Sequence, residues 1–302
     1  MLTRKMLKNS FIVLCFVPLL SLGQLSFFEQ DTVPNKKRII GSSIGVGATW
    51  GGSIAALASV WYKDSWGDGF QFFNDGKEWL QMDKVGHAYA GYHIQRNVAE
   101  LYRWSGLSRT KSTLLGGVVS FGYLATFEIL DGFSEDWGFS MWDIAANTAG
   151  VFLYSAQELL WEEQKIGFKF LATPSPYAKY RPALLGSNFA ERLLKDYNGQ
   201  TYWLNFTPRA FFASSFPNWL SFSFGYSIQE KLHGFEDEFT VTFEGEDLSF
   251  SAYREYMFSL DIDFQRIQTD RPVLKTVFSL LNHVKVPVPA VVYSRNGWRV
   301  GY

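Results

Sequence analysis

The chain is poor in the residues that would make its chemistry easy to read. It has one cysteine in 302 residues, Cys15, which excludes an intramolecular disulfide framework and any cysteine-based zinc site. Charged residues make up only 19%, below the quarter or so usual in soluble domains. The 28 basic and 29 acidic side chains nearly cancel, so there is no basic excess of the kind that displaces counterions from nucleic-acid phosphates. His-Glu-x-x-His and the phosphate loop are both missing, which removes common metalloprotease and nucleotide signatures. A mean hydropathy of −0.06 is too polar for a chain lying wholly within a bilayer. Aromatic rings, in contrast, reach 18%, with 28 Phe, 15 Tyr and 11 Trp. An aromatic-rich, charge-poor composition suits a membrane interface, where amphipathic rings settle.

The N-terminus supplies an address. Arg4, Lys5 and Lys8 precede an apolar run from Phe11 to Leu22, and Ser21 and Gly23 are small residues at the −3 and −1 positions. Residues 1–23 therefore read as a secretory signal peptide with Gln24 opening the mature chain; an uncleaved N-terminal anchor is the alternative. Bulky Leu14 precedes Cys15, so the cysteine lacks the small neighbour that a lipobox requires. The expected location is the cell envelope, at the outer membrane or its periplasmic face.

Beyond a linker at 24–38, the periodicity divides the chain into a helical region, 39–165, and an aromatic-rich β region, 166–302. No charged residue occurs from Ile39 to Tyr62, and Gly41/Gly45 and Gly47/Gly51 fall four apart, which lets another helix approach closely. This segment reads either as a bilayer span or as a buried bundle helix. Further helices are expected over Asp83–Arg103, over Ser112–Leu130, and from Ser140 or Asp143 to about Gln164. Phe139, Trp142, Ala146 and Leu153 give the last an apolar face, and Glu158–Glu163 a wet end. Strands with one greasy and one polar face are expected over Trp219–Ile228 and Met257–Gln265, with others at Tyr202–Thr207 and Phe239–Phe243. A short helix is expected at Val273–Val284. Val291 and Tyr293, then Asn296-Gly297, then Trp298, Val300 and Tyr302 read as a hairpin. The fold class is thus α+β: an antiparallel bundle of about four apolar helices followed by an antiparallel sheet, open or incompletely barrel-like. Five to six strands are too few for a closed membrane barrel, which needs about eight.

Polar residues stand out where the helices are otherwise apolar. Asp83, Lys84 and His87 open one helix, Glu128 and Asp131 end the next, and Ser140, Asp143 and Asn147 open the last. Their spacings of three and four place each set on one helix face, and polar groups among apolar ones are stable only with partners. All are expected to converge between helices. One reading is structural: Asp83 and Ser140 cap helices, His87 bonds a buried carboxylate, and Asn147 bonds across to a neighbour. The other is a ligand or lipid-headgroup site, or a hydrolytic or metal-dependent centre with His87 as base, Asp83 orienting it, and Glu128 and Asp131 as acid or ligands. No catalytic role, metal or cofactor is assigned. His93, His233 and His283 lack ligand-like spacing and read as surface or packing residues. The expected partners are membrane lipid and an envelope protein, with nucleic acid excluded.

Asp83-Lys84-x-x-His87, Glu128-x-x-Asp131-Gly132 and Gly138-Phe139-Ser140-x-x-Asp143-x-x-x-Asn147-x-x-Gly150 together resemble the YfiM-like family of predicted periplasmic lipoproteins, a domain of unknown function. The same motif order is similar to VanZ-like helical membrane proteins. The resemblance covers roughly residues 40–165. It implies a helical fold and an envelope compartment, and brings no reaction.

Overall fold

A computed structural model describes residues 30–60, 62, 65–212 and 215–301; the segment expected to be a signal peptide, Cys15 and Tyr302 lie outside them. The chain is α+β. Four long helices come first: α1 (Lys36–Val60), α2 (Met82–Trp104), α3 (Arg109–Gly132) and α4 (Met141–Leu160). Strands β1 (Ile166–Ala172) and β2 (Gln200–Phe206) flank two short helices, α5 (Pro182–Leu185) and α6 (Phe189–Lys195). Then follow β3 (Leu220–Gln229), β4 (Glu238–Phe243), β5 (Glu246–Ser251), β6 (Tyr253–Ile262), α7 (Pro272–Leu281), β7 (Ala290–Ser294) and β8 (Gly297–Gly301).

Helix α2 is the central rod, buried along nearly its whole length between α3 and α4. Glycines set the close approach. A Cβ on Gly150 of α4 would stand 1.9 Å from the Ala88 carbonyl oxygen, and one on Gly91 2.5 Å from that of Asn147. The Gly41, Gly45, Gly47 and Gly51 series expected to admit a neighbouring helix does not do so: nothing lies within 4 Å of where their Cβ atoms would be. Nor is α1 a buried bundle helix. Only 11% of its apolar window is buried, and its inner contacts include the bonds of Ser42 to Ser105, Ser43 to Tyr102 and Ser53 to Tyr123, with Val46 and Trp50 packed beside them.

The main sheet is antiparallel and runs β1-β2-β3-β6-β7-β8, with β4-β5 a separate hairpin. It does not close, but a parallel bridge from Phe170 to Val284 returns the chain to the free edge of β1 before β7. At the β7–β8 turn, Ser294 pairs with Gly297, so Arg295-Asn296 forms the loop rather than Asn296-Gly297. Gly297 takes the left-handed conformation, φ +91°, at the start of β8.

Polar residues are turned inward and apolar ones outward over much of β3 and β6. On β3 and β6, Ser221, Ser223, Ser227, Glu255, Ser259 and Asp261 are buried, whereas Phe224, Tyr256, Phe258 and Leu260 are exposed. The strand register lines up Leu204, Phe224, Phe258, Val291 and Val300 in one outward row. The inner face instead holds ions: Lys169 Nζ lies 3.1 Å from Asp261 Oδ2, and Lys285 Nζ sits 4.9 Å over the Trp203 ring. Helix α4 repeats the inversion. Its buried residues are Asp143, Asn147, Gly150, Tyr154, Gln157 and Glu158, while Trp142, on the expected apolar face, is exposed beside Met141. The helix ends at Leu160, and Glu158 is paired with Arg103 and Arg109 rather than wet.

Candidate functional site

The inward polar residues of α2, α3 and α4 meet in one cluster. Asp83 is not the N-cap of α2, because the helix begins at Met82 and its cap position, Gln81, offers no side-chain bond. Trp79, Leu80 and Gln81 precede it in three successive left-handed conformations, φ 49°, 49° and 65°. Such a turn costs roughly 1–2 kcal/mol per non-glycine residue and persists only when its surroundings hold it. The sheet does so. Tyr226 Oη of β3 donates to the Leu80 carbonyl, and Arg254 of β6 donates to Gln81 Oε1 at 2.7 Å. The backbone N–H of Trp79 reaches the Gly234 carbonyl at 2.7 Å. The β region thereby fixes the entry angle of the helix that carries Asp83, Lys84 and His87.

Three carboxylates converge on Lys84. Its Nζ donates to Asp75 Oδ2 at 2.7 Å, Asp83 Oδ2 at 2.8 Å and Asp143 Oδ1 at 2.6 Å. Ser140 caps α4, accepting from the Asp143 N–H at 3.1 Å, and its hydroxyl donates to Asp75 Oδ1 at 2.5 Å. Tyr197 Oη donates to Asp83 Oδ1 at 3.0 Å, and Tyr62 Oη to Asp131 Oδ1 at 2.7 Å. His87 Nδ1 is 3.0 Å from Asn147 Oδ1 and 3.9 Å from Glu128 Oε1. Its Nε2 is 3.5 Å from Asp143 Oδ1 and 3.8 Å from Asp83 Oδ1. All eight polar residues singled out in the sequence thus lie in or beside one cluster.

Charge is unevenly shared there. Burial alone would raise the Asp83 carboxyl, but Lys84, His87 and the Tyr197 hydroxyl outweigh it and hold the group below the ordinary carboxylate range. Asp143 moves the other way, raised well above that range by burial and by Asp83 and Glu128. Burial lowers the His87 imidazole against the opposing pull of Asp83, which favours its neutral form. Burial also pushes the Glu78 carboxyl up to about 8.

Asp75, Glu78, Asp83, Glu128, Asp131, Asp136 and Asp143 line a cavity of about 180 Å³, and Trp79, Tyr197, Arg181 and His233 are among the other residues of its wall. Asp75, Glu78 and Tyr197 were not among the residues expected here. Acids in a loop rich in Gly and Asp look ordinary, and Tyr197 arrives from 114 positions beyond Asp83. His233, read as surface or packing, is a wall residue. His93 and His283 do pack: their buried rings stack 4.3 Å apart, His93 Nε2 donating to the Phe168 carbonyl and His283 Nδ1 to that of Ser279.

No curated protein and no solved structure matches the chain. A family model described as predicted periplasmic lipoprotein (DUF2279) matches residues 68–156, a span that holds Asp75, Glu78 and every cluster residue on α2, α3 and α4, and it supports an exported, cell-envelope address for a chain of unknown activity.

Proposed function

We propose that the chain is a membrane-resident envelope protein that holds a ligand-binding cavity among its inward-facing polar residues. The observation that carries this reading is the inverted polarity of the sheet and of α4. In water, apolar surface is driven inward at about 25 cal/mol per Å², and ions stay out. Here Phe224, Phe258, Trp298 (73% exposed) and Val300 (76%) face outward, while Lys169, Lys285, Glu255 and Asp261 face inward. Hydrocarbon selects that arrangement, as it does in membrane barrels with lipid-facing apolar bands and polar interiors. Helices α1 and α3 agree with it, each being long and apolar enough to cross a membrane by length and composition. The outer membrane is the location that suits an apolar sheet best, and the cluster lies in the helical part, where the motif order resembles that of YfiM-like and VanZ-like proteins. An envelope protein partner would meet whatever outward surface lipid leaves uncovered.

The test is retention. After expression of the full chain and alkaline carbonate washing, the protein is expected in the membrane pellet, and a Cys15→Ser variant with it. Release of both into the soluble fraction contradicts the reading.

A further inference from the structure

The ion pairs around Lys84 leave one atom unexplained. His87 is 6% exposed, and its Nε2 is buried without a hydrogen-bond partner. The other ring nitrogen is committed: Nδ1 donates to Asn147 Oδ1 at 3.0 Å, which leaves the lone pair on Nε2. That lone pair faces two carboxylate oxygens, Asp143 Oδ1 at 3.5 Å and Asp83 Oδ1 at 3.8 Å. A lone pair set against two carboxylate oxygens in a buried space calls for a cation or a proton between them. Lys84 serves only part of this set: its ammonium bonds Asp143 Oδ1 at 2.6 Å but Asp83 through the other oxygen, Oδ2, and His87 Nε2 keeps no hydrogen-bond partner.

We infer that Asp83, His87 and Asp143 form a binding site for a divalent transition-metal ion, with Zn²⁺ as the ion the donor set suits best. The inference names the ligand class of the cavity proposed above and so rests on reading that cavity as a site. It does not depend on where lipid lies. One donor atom from each of the three residues can be chosen so that all lie within 4.8 Å of one another. A tetrahedral zinc site with bonds of about 2.0–2.1 Å separates its donors by roughly 3.3 Å, so small movements of the side chains bring this set to size. Imidazole selects zinc, copper, iron or nickel over calcium and magnesium, which take oxygen shells. Asn147 then acts as a positioning residue: it fixes the imidazole tautomer so that the lone pair is on the metal side, as outer-shell partners of ligating histidines do. Asp83 and Asp143 also line the cavity, so a fourth ligand would be water or a bound molecule within it. The three donors come from α2 and α4, and the close passage of Gly150 past Ala88 holds those helices together.

The test uses the full chain in detergent, stripped with a chelator and dialysed against buffered micromolar Zn²⁺, with bound metal counted by mass spectrometry. A parallel Co²⁺ titration reads the visible absorption of a tetrahedral site. One Zn²⁺ per chain is expected, unaffected by millimolar Mg²⁺. Affinity should fall at least about 100-fold in His87→Ala and Asp143→Asn, and about tenfold in Asn147→Ala, which keeps all three donors. Glu246→Gln, on the exposed β4–β5 hairpin and outside the cavity wall, should bind as wild type does. Should His87→Ala fail to fold, Asn147→Ala and the Co²⁺ spectrum decide the matter. Equal Zn²⁺ binding by wild type and His87→Ala, or no binding by wild type, overturns the site. A chain retained in membranes yet unable to bind Zn²⁺ would refute the metal site alone.

Discussion

Lys84 carries the positive charge that lets three acids share one buried space. Replacing it with methionine keeps the stem and removes the ammonium, leaving Asp75, Asp83 and Asp143 facing one another. Breaking a buried pair in this way costs about 3–5 kcal/mol, so Lys84→Met is expected to lower the melting temperature in detergent sharply. Asp143→Asn should cost less, because its carboxyl is already biased toward the neutral form. The paired histidines give a pH signature. Burial lowers His93 well below its ordinary value and His283 to about 3, so both stay neutral in the folded chain. Unfolded, each takes up a proton as the pH drops below about 6.5, so each removes up to about 1.4 kcal/mol of stability per pH unit below that point. His283→Leu removes one of these protons. Unfolding curves at pH 7 and pH 5.5 should show the variant losing less stability than wild type over that interval; an equal loss would mean that His283 is protonated in the folded chain.

At the scale of elements, the glycines of α2, α3 and α4 decide how closely the polar faces meet. A methyl group on Gly150 would strike the Ala88 carbonyl, so Gly150→Ala must part α2 from α4, at a cost of about 3 kcal/mol. Because those helices also carry Asp83, His87 and Asp143, the substitution is expected to weaken metal binding as well as stability. Gly47→Ala, in open space on α1, should do neither and should gain slightly in helix propensity. Strand period and helix spacing are local signals, which is why β3, β6 and the three cluster helices are legible in the sequence to within a few residues. The cluster itself is legible for the same reason, since polar side chains three and four apart on apolar helices have few places to go. The left-handed turn at 79–81 is not legible. It contains no glycine, and Tyr226 and Arg254, far along the chain, hold it in place. Asp75 and Tyr197 are missed for a related reason, because their place in the cluster depends on tertiary contact and on no spacing. The direction of the amphipathic faces also escapes a reading by period. Alternation fixes that β3 and β6 have two unlike faces, and Trp142 and Asp143 two sides of α4, but only the solvent outside decides which side is buried.

For the whole molecule, that choice of solvent is the central claim. On the proposed reading, a chain that turns Phe224, Phe258 and Val300 outward and Lys169, Asp261 and Glu255 inward has apolar surroundings over the sheet. In water the same surface would drive self-association, so detergent removal should precipitate the protein unless lipid replaces it. The most direct measurement is spin-label accessibility on chains reconstituted in phospholipid vesicles, in a Cys15→Ser background, with single labels at Phe224, Phe258 and Val300 and at Glu135 on an exposed polar loop. Labels on the sheet should collide with dissolved oxygen and be shielded from a water-soluble nickel chelate, while the Glu135 label shows the reverse. Sheet labels as open to nickel as the Glu135 label would place the aromatic face in water and contradict the account.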